Sequence, residues 1–289
     1  MKIVLAMDTS PASQTALDQV GERPWPVDSH FEVVSVVEPS HLWTTSEAAM
    51  EAGTRAHEVV ARAVERLRAA SRQACGAVFS GDPKTVILDR ACASGAELVI
   101  AGSHGASGVT RFLMGNVAAS VLRYASCSVE VARARKPGSI AFKVLLATDG
   151  SAFSEQAAKS IAARPWPEGT EIRILSAVEL ILPPARALFE VPIIDAAFLE
   201  KVRGEAMQRA QDAVARAREI LSPTGLNLSD SISVLADPPK AVILQEAGEW
   251  GADLIVLGSH GRHGMDRFLV GSVSEAVAAH ATCSVEVIR

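Results

Sequence analysis

The sequence predicts an α/β fold written twice: two tandem Rossmann-like domains, each a five-stranded parallel sheet with helices on both faces. Three observations lead there. The chain has 289 residues, more than the roughly 100–150 of a usual domain. Short apolar runs such as Leu98-Val99-Ile100-Ala101 alternate with amphipathic segments, which suits parallel strands covered on both faces. The third observation is an internal repeat. Lys84–Arg133 aligns without a gap to Lys240–Arg289, with 26 identities in 50 positions. Upstream, Lys2–Asp8 answers Lys143–Asp149, and Arg23-Pro24-Trp25-Pro26 answers Arg164-Pro165-Trp166-Pro167, at an offset of 141. The offset grows to 156, so the second copy holds 15 additional residues between its second strand and third helix. A repeat of roughly 140 residues is too long for a solenoid unit. Each copy should form its own domain, 1–136 and 142–289, joined by the turn-rich Lys136-Pro137-Gly138-Ser139.

Within the first copy, strands are expected near 2–7, 31–37, 75–80, 97–102 and 127–132. The first helix should start near Pro11, and a second near Ser46, where Val59, Val60, Ala63, Val64 and Leu67 form a helical stripe. Asp82-Pro83 and Asp237-Pro238 each read as an N-cap followed by a proline at the first helical position. The fourth helix opens near Gly115 or Gly271. The Pro-Trp-Pro segments are expected to plug a gap between a helix end and the sheet edge. Final strands Ser128–Ala132 and Ser284–Ile288 are Val-rich and lack the proline that blunts an edge, so each can accept a partner strand.

Composition removes several classes of function. The net charge of −5 and pI near 5.8 offer no general attraction for nucleic acid or an anionic membrane. Of the charged groups, residues 1–141 carry 14 basic and 14 acidic, and residues 142–289 carry 14 and 19, so neither half is a polyanion binder. Only 13 residues are Phe, Trp or Tyr, too few for a single-strand stacking surface. No apolar stretch approaches the ~18–20 residues of a membrane span, and the apolar run after Met1 is too short for a signal peptide. Cys75, Cys92, Cys127 and Cys283 show no CxxC spacing, so free thiols in a reducing cytoplasm are expected.

Chemistry belongs at the C-terminal strand ends, where such sheets bind ligands. There each copy reads Gly-x-x-Gly, nine residues, then glycine: Gly102, Gly105 and Gly115, or Gly258, Gly261 and Gly271. Such glycines allow close backbone approach, and the helix start adds N–H donors and a positive dipole end, so the loop suits a phosphate group. Turn-making alone would explain one such loop; two at identical spacing favour an anion cradle. Asp8 and Asp149 end their strands, suited to accept from ligand hydroxyls, to help hold Mg²⁺, or to cap the next helix. The serine two residues later fits the cap more simply and leaves the aspartate for ligand. Arg111 and Arg267 recur in the spacer, open equally to a phosphate contact or a solvated surface. His260 and His263 do not recur as a pair, since Ser107 answers His263, so no metal site is expected.

Gly-x2-Gly-x9-Gly-Ser/Thr, after a strand of the Ala-Asp-Leu-Ile-Val type and before a Cys-x-Val strand, resembles the universal stress protein family in its tandem form. The resemblance covers nearly the whole chain and implies an adenine nucleotide alpha hydrolase-like fold that binds ATP, with or without Mg. It implies Gly258, Gly261, Gly271 and Ser272 at phosphates, Asp149 at ribose and Ala177 backbone at adenine. For the first copy it implies Gly102, Gly105, Gly115, Asp8 and Val36. Asn116 stands where the motif has Ser or Thr, so the second site is expected to be the better one. The resemblance further implies pairing of the two final strands within the chain; the nucleotide clefts then stay open, and a homodimer is expected through other faces. The segment Leu182–Glu200 of the second copy is the candidate for that contact or for a lid.

No G-x-S-x-G elbow, Walker A segment or recurring catalytic constellation accompanies the loops. Three functions follow in order: a nucleotide-dependent stress-response module, a slow ATPase, and a nucleotide-free interaction scaffold. No general base is apparent for the second. The intact second motif argues against the third.

Overall fold

A computed structural model describes residues 1–39, 46–105, 114–135, 138, 140–179, 196–235, 237–261 and 270–289. The first half runs β1 (Lys2–Ala6), α1 (Pro11–Glu22), β2 (His30–Val37), α2 (Ser46–Ala69), β3 (Gln73–Ser80), α3 (Pro83–Ser94), β4 (Leu98–Gly102), α4 (Asn116–Tyr124) and β5 (Ser128–Ala132). The second half repeats it: β6 (Lys143–Ala147), α5 (Ala152–Ala162), β7 (Glu171–Glu179), α6 (Ala196–Leu221), β8 (Asn227–Leu235), α7 (Pro239–Trp250), β9 (Leu254–Gly258), α8 (Ser272–His280) and β10 (Ser284–Ile288). The strands join one ten-stranded sheet in the order β3-β2-β1-β4-β5-β10-β9-β6-β7-β8. All neighbours are parallel except β5 and β10, which run antiparallel with Glu130 opposite Glu286. The final strands therefore pair as the sequence leads one to expect.

Helix starts are set by local caps. Ser10 and Ser151 accept from the amides of Ser13 and Ser154 at the starts of α1 and α5. Asp82 caps α3 through the Thr85 amide, with Pro83 at the first helical position. The second half departs from the expected Asp237-Pro238 pattern: Pro238 itself is the N-cap residue of α7, and Pro239 opens the helix. Sheet register explains the shift. Val33 faces Gly76, while its counterpart Ile174 faces Asp230, so the offset at the third strand is 154. Two of the additional residues thus enter only between β8 and α7, and they displace the aspartate from the cap.

The two faces of the sheet are packed differently. On one face, α3, α4, α7 and α8 cover a single apolar core that runs across both halves, from Val4 and Val99 through Val129 and Val285 to Ile255 and Leu145. On the other, α1 with α2 and α5 with α6 cover separate cores, around Leu5 and Ile100 and around Leu146 and Val256. Between these two cores lies charge. Glu130 and Glu286 are fully buried, Arg23 donates to both Glu130 oxygens at 2.7 and 2.8 Å, and Arg164 donates to Glu286 at 2.9 Å. Burial pushes the Glu130 carboxyl above its ordinary range, Arg23 pulls it down, and Glu286 adds to the rise. Arg133 reaches the Ala278 carbonyl at the end of α8, and Arg289 reaches those of Leu122 and Arg123 at the end of α4. Each half thus supplies cations to a helix C-terminus of the other.

Trp25 donates to the Val20 carbonyl and meets Phe31 edge-on at 5.5 Å; Trp166 donates to Ile161 and stacks on Phe142 at 5.9 Å. Because Phe31 belongs to β2, an interior strand, the first ring closes a helix end onto the sheet interior and not onto its edge. No helix of the described residues is long and apolar enough to cross a membrane.

Candidate functional site

In each half the strand order changes direction between β1 and β4, or between β6 and β9. In an open α/β sheet, the crevice at the C-terminal strand ends of such a switch point is the usual ligand position. Asp8 and Asp149 follow the first strands there. Asp8 Oδ1 accepts from the Ser10 amide at 2.9 Å and the Ser10 hydroxyl at 2.5 Å, and Asp149 Oδ1 accepts from the Ser151 amide at 3.0 Å. This corrects the expectation that the serine cap leaves the aspartate unengaged: one carboxylate oxygen shapes the turn. The other oxygen faces the glycine loop, since a Cβ on Gly105 would stand 3.1 Å from Asp8 Oδ2, and one on Gly261 2.9 Å from Asp149 Oδ2.

The three glycines of each motif have different reasons to be there. A Cβ on Gly102 would lie 2.6 Å from the Ala12 carbonyl carbon, and one on Gly258 2.7 Å from that of Phe153. The first glycine is therefore required by the first turn of α1 or α5 crossing the strand end. Gly115 and Gly271 donate their amides to Ser103 and Ser259 carbonyls at 2.7 Å, which closes the loop on itself. They are N-cap residues, and the helices begin beside them as expected, at Asn116 and Ser272. No side-chain hydrogen bond caps α4 or α8, unlike α1, α3 and α5. Their first-turn amides and positive dipole ends point at the crevice side of the loop.

Val36 and Ala177 lie on the strand beside the crevice. Pairing of β1 with β2 ends at the Met7 amide on the Val34 carbonyl, and the second half ends it at Thr148 on Leu175. Two residues on, strand alternation turns the peptide groups of Val36 and Ala177 toward the same side, where β1 and β6 have already ended. All twelve of the singled-out positions thus fall at the C-terminal ends of the strands, six in each half.

Two features escaped the sequence reading. Ser10 and Ser151 hydroxyls also reach the His104 and His260 carbonyls at 3.2 and 3.4 Å, tying the two crevice loops together. His104 and His260 Nδ1 sit 3.0 and 3.1 Å from Ser103 and Ser259 hydroxyls, and their Nε2 atoms are buried without a partner among the described residues. The recurrence of Gly-Ser-His-Gly in both copies was the available signal. Arg111, Arg267, Ser107, His263 and residues 182–195 of the expected lid segment lie outside the described residues. No group of three His, Cys, Asp or Glu suited to a metal occurs among the described residues. Cys127, just before β5, is buried, and burial pushes its thiol up to about 11, as expected of a packing thiol.

The model of the universal stress protein family matches residues 1–133 and again 142–289. A putative universal stress protein of Staphylococcus haemolyticus is 34% identical over 153 residues, half of this chain and 83% of that protein. The universal stress protein A homolog 2 of Coxiella burnetii is 44% identical over 79 residues, 27% of this chain and about half (53%) of that protein. A universal stress protein of Mycobacterium tuberculosis is 32% identical over 200 residues, 67% of this chain and 62% of its own length. Among solved structures, a universal stress protein from Archaeoglobus fulgidus superposes over 100% of this chain and 98% of its own, with a TM-score of 0.66 at 21% identity. That likeness concerns the fold.

Proposed function

The chain belongs to the universal stress protein family, a family of stress-response proteins, and on that premise we propose that each half binds an adenine nucleotide, ATP, in its crevice. The observation that carries the proposal is the uncapped start of α4 and α8, held against a Gly-x-x-Gly turn whose second glycine abuts an aspartate oxygen, twice in one chain. Phosphates would take the first-turn amides beside Gly105, Gly115 and Asn116, or Gly261, Gly271 and Ser272. Asp8 or Asp149 Oδ2 would accept from ribose hydroxyls or share a Mg²⁺ with the phosphates and water. The crevice-facing peptide groups of Val36 and Ala177 would read the adenine edge. Gly102 and Gly258 contribute by admitting the helix turn. The nucleotide would act on conformation or assembly, with hydrolysis as the second reading.

Gly261→Val is the discriminating variant, because among the described residues the added Cβ meets a movable carboxylate and no backbone. Calorimetric titration of the full chain with Mg-ATP should give two sites, and the variant one, with its circular dichroism unchanged. Equal stoichiometry in the folded variant would remove the cradle; no heat at all with wild type would leave a nucleotide-free scaffold. Phosphate release above background in the same samples would make the protein an ATPase.

A further inference from the structure

We propose that the first half holds a second ligand pocket, between α1 and α2, that takes a small organic carboxylate. In the second half an Arg216–Glu155 ion pair lies at the equivalent position. The pocket borders the crevice at Asp8, but the carboxylate reading does not need a bound nucleotide.

The pocket has a volume of about 460 Å³, with Thr9, Gln14, Arg62 and Arg66 among its walls and Leu17 and Val59 on its floor. The buried positions Val60 and Leu67 of α2 answer Val214 and Leu221 of α6, so Arg62 answers Arg216 and Arg66 answers Ile220. In the turn before α5, Gly150 answers Thr9, and on α5 Glu155 answers Gln14. In the second half, Arg216 Nε pairs with Glu155 Oε1 at 3.3 Å. Its guanidinium lies over Gly150, where a Cβ would stand 2.3 Å from it. Gly150 has φ +73°, a left-handed conformation that a β-branched residue resists. The loop there leaves room for the arginine, still partly exposed, to lie against Gly150 and pair with Glu155.

None of that is available to Arg62. Thr9 carries a side chain where Gly150 has none, and Gln14 brings no charge. Arg62 Nε donates to the Glu58 carbonyl at 3.3 Å, and the guanidinium makes no ion pair with a carboxylate among the described residues. Arg66 stands one helical turn further on, held at the rim by Asp18. Asp8 also lines the pocket, its Oδ1 occupied by Ser10. The first half has thus kept the arginine and lost the carboxylate that balances it, while the space stays open. A ligand carboxylate on Arg62 replaces the group that Glu155 supplies in the other half, by the same charge-assisted hydrogen bond. The apolar floor takes the ligand's hydrocarbon part.

The test is a titration of the ¹⁵N-labelled full chain with benzoate, with and without saturating Mg-ATP. One saturable site per chain is expected, with shifts at the amides of Thr9, Gln14 and Arg62, unaltered by Mg-ATP. Benzyl alcohol, which lacks the carboxylate, should bind roughly tenfold or more weakly, as should benzoate to Arg62→Gln. Gln14→Glu, which restores the internal carboxylate of the second half, should abolish binding in a folded protein. Absence of saturable shifts, two equivalent sites, or affinity unchanged in both variants would overturn the pocket. Competition by Mg-ATP would make it an extension of the nucleotide crevice and overturn its independence.

Discussion

At the scale of single residues, the most consequential group is the buried quartet of Glu130, Glu286, Arg23 and Arg164. Two carboxylates directly opposite in an antiparallel pair repel, and the low-dielectric surroundings make an unpaired one expensive. Arg23→Met should therefore cost about 3–5 kcal/mol at neutral pH, read by chemical denaturation. The pH dependence has a definite sign. Because the folded state holds the Glu130 carboxyl above its ordinary value, it binds the proton more tightly than the unfolded chain. That contribution is complete below the unfolded value and is lost as pH rises through the folded one. Wild type should gain stability relative to Glu130→Gln as pH falls from neutral toward the carboxylate range; parallel stability curves would contradict the buried-charge account. The crevices carry a second residue-scale asymmetry, since Asn116 begins α4 where Ser272 begins α8. On the proposed function, Asn116→Ser should tighten the first site and Ser272→Asn weaken the second, each by ~1 kcal/mol in calorimetry.

At the scale of elements, the glycine at the end of β4 shows how one position sets a helix. Gly102→Ala would drive a Cβ into the backbone of Ala12 at 2.6 Å, so α1 must lift from the strand. A loss of about 1–3 kcal/mol in denaturant melts is expected, the usual cost of overpacking, against almost none for Gly21→Ala on the same helix, whose Cβ meets nothing within 4 Å. If the two variants melt alike, close packing is not what this glycine serves. The same position marks the limit of what the sequence discloses. Strand and helix order, the crevice and its aspartates were legible because the repeat states them twice and apolar runs have a clear period. The division of labour among the glycines was not, because each reads the same in one dimension. Only the crossing of α1 over β4 separates a glycine that admits a helix from one that lies beside a carboxylate. Likewise, Asp237 and Asp82 look alike in sequence, and a two-residue difference after β8 decides which one caps.

At the scale of the whole molecule, the halves are joined by more than a linker. The β5–β10 ladder makes one sheet of two, α4 and α8 share one core, and Arg123 pairs with Glu275 across it. Arg133 and Arg289 each end on carbonyls of the other half. A repeat protein with a weak junction unfolds half by half; one with a continuous core should lose both halves together. Trp25 and Trp166 report on the two halves separately, each seated under its own first helix. Full-length variants that keep only one of these tryptophans, the others replaced by Phe, should give urea transitions with the same midpoint. Adding Arg133→Ala and Arg289→Ala removes the reciprocal contacts while leaving both crevices and both separate cores intact. The two midpoints should then diverge, with the larger fall in whichever half has the smaller core of its own. Midpoints that already differ in the parent protein would mean that the shared face does not couple the halves, and that the continuous sheet is a junction without cooperative consequence.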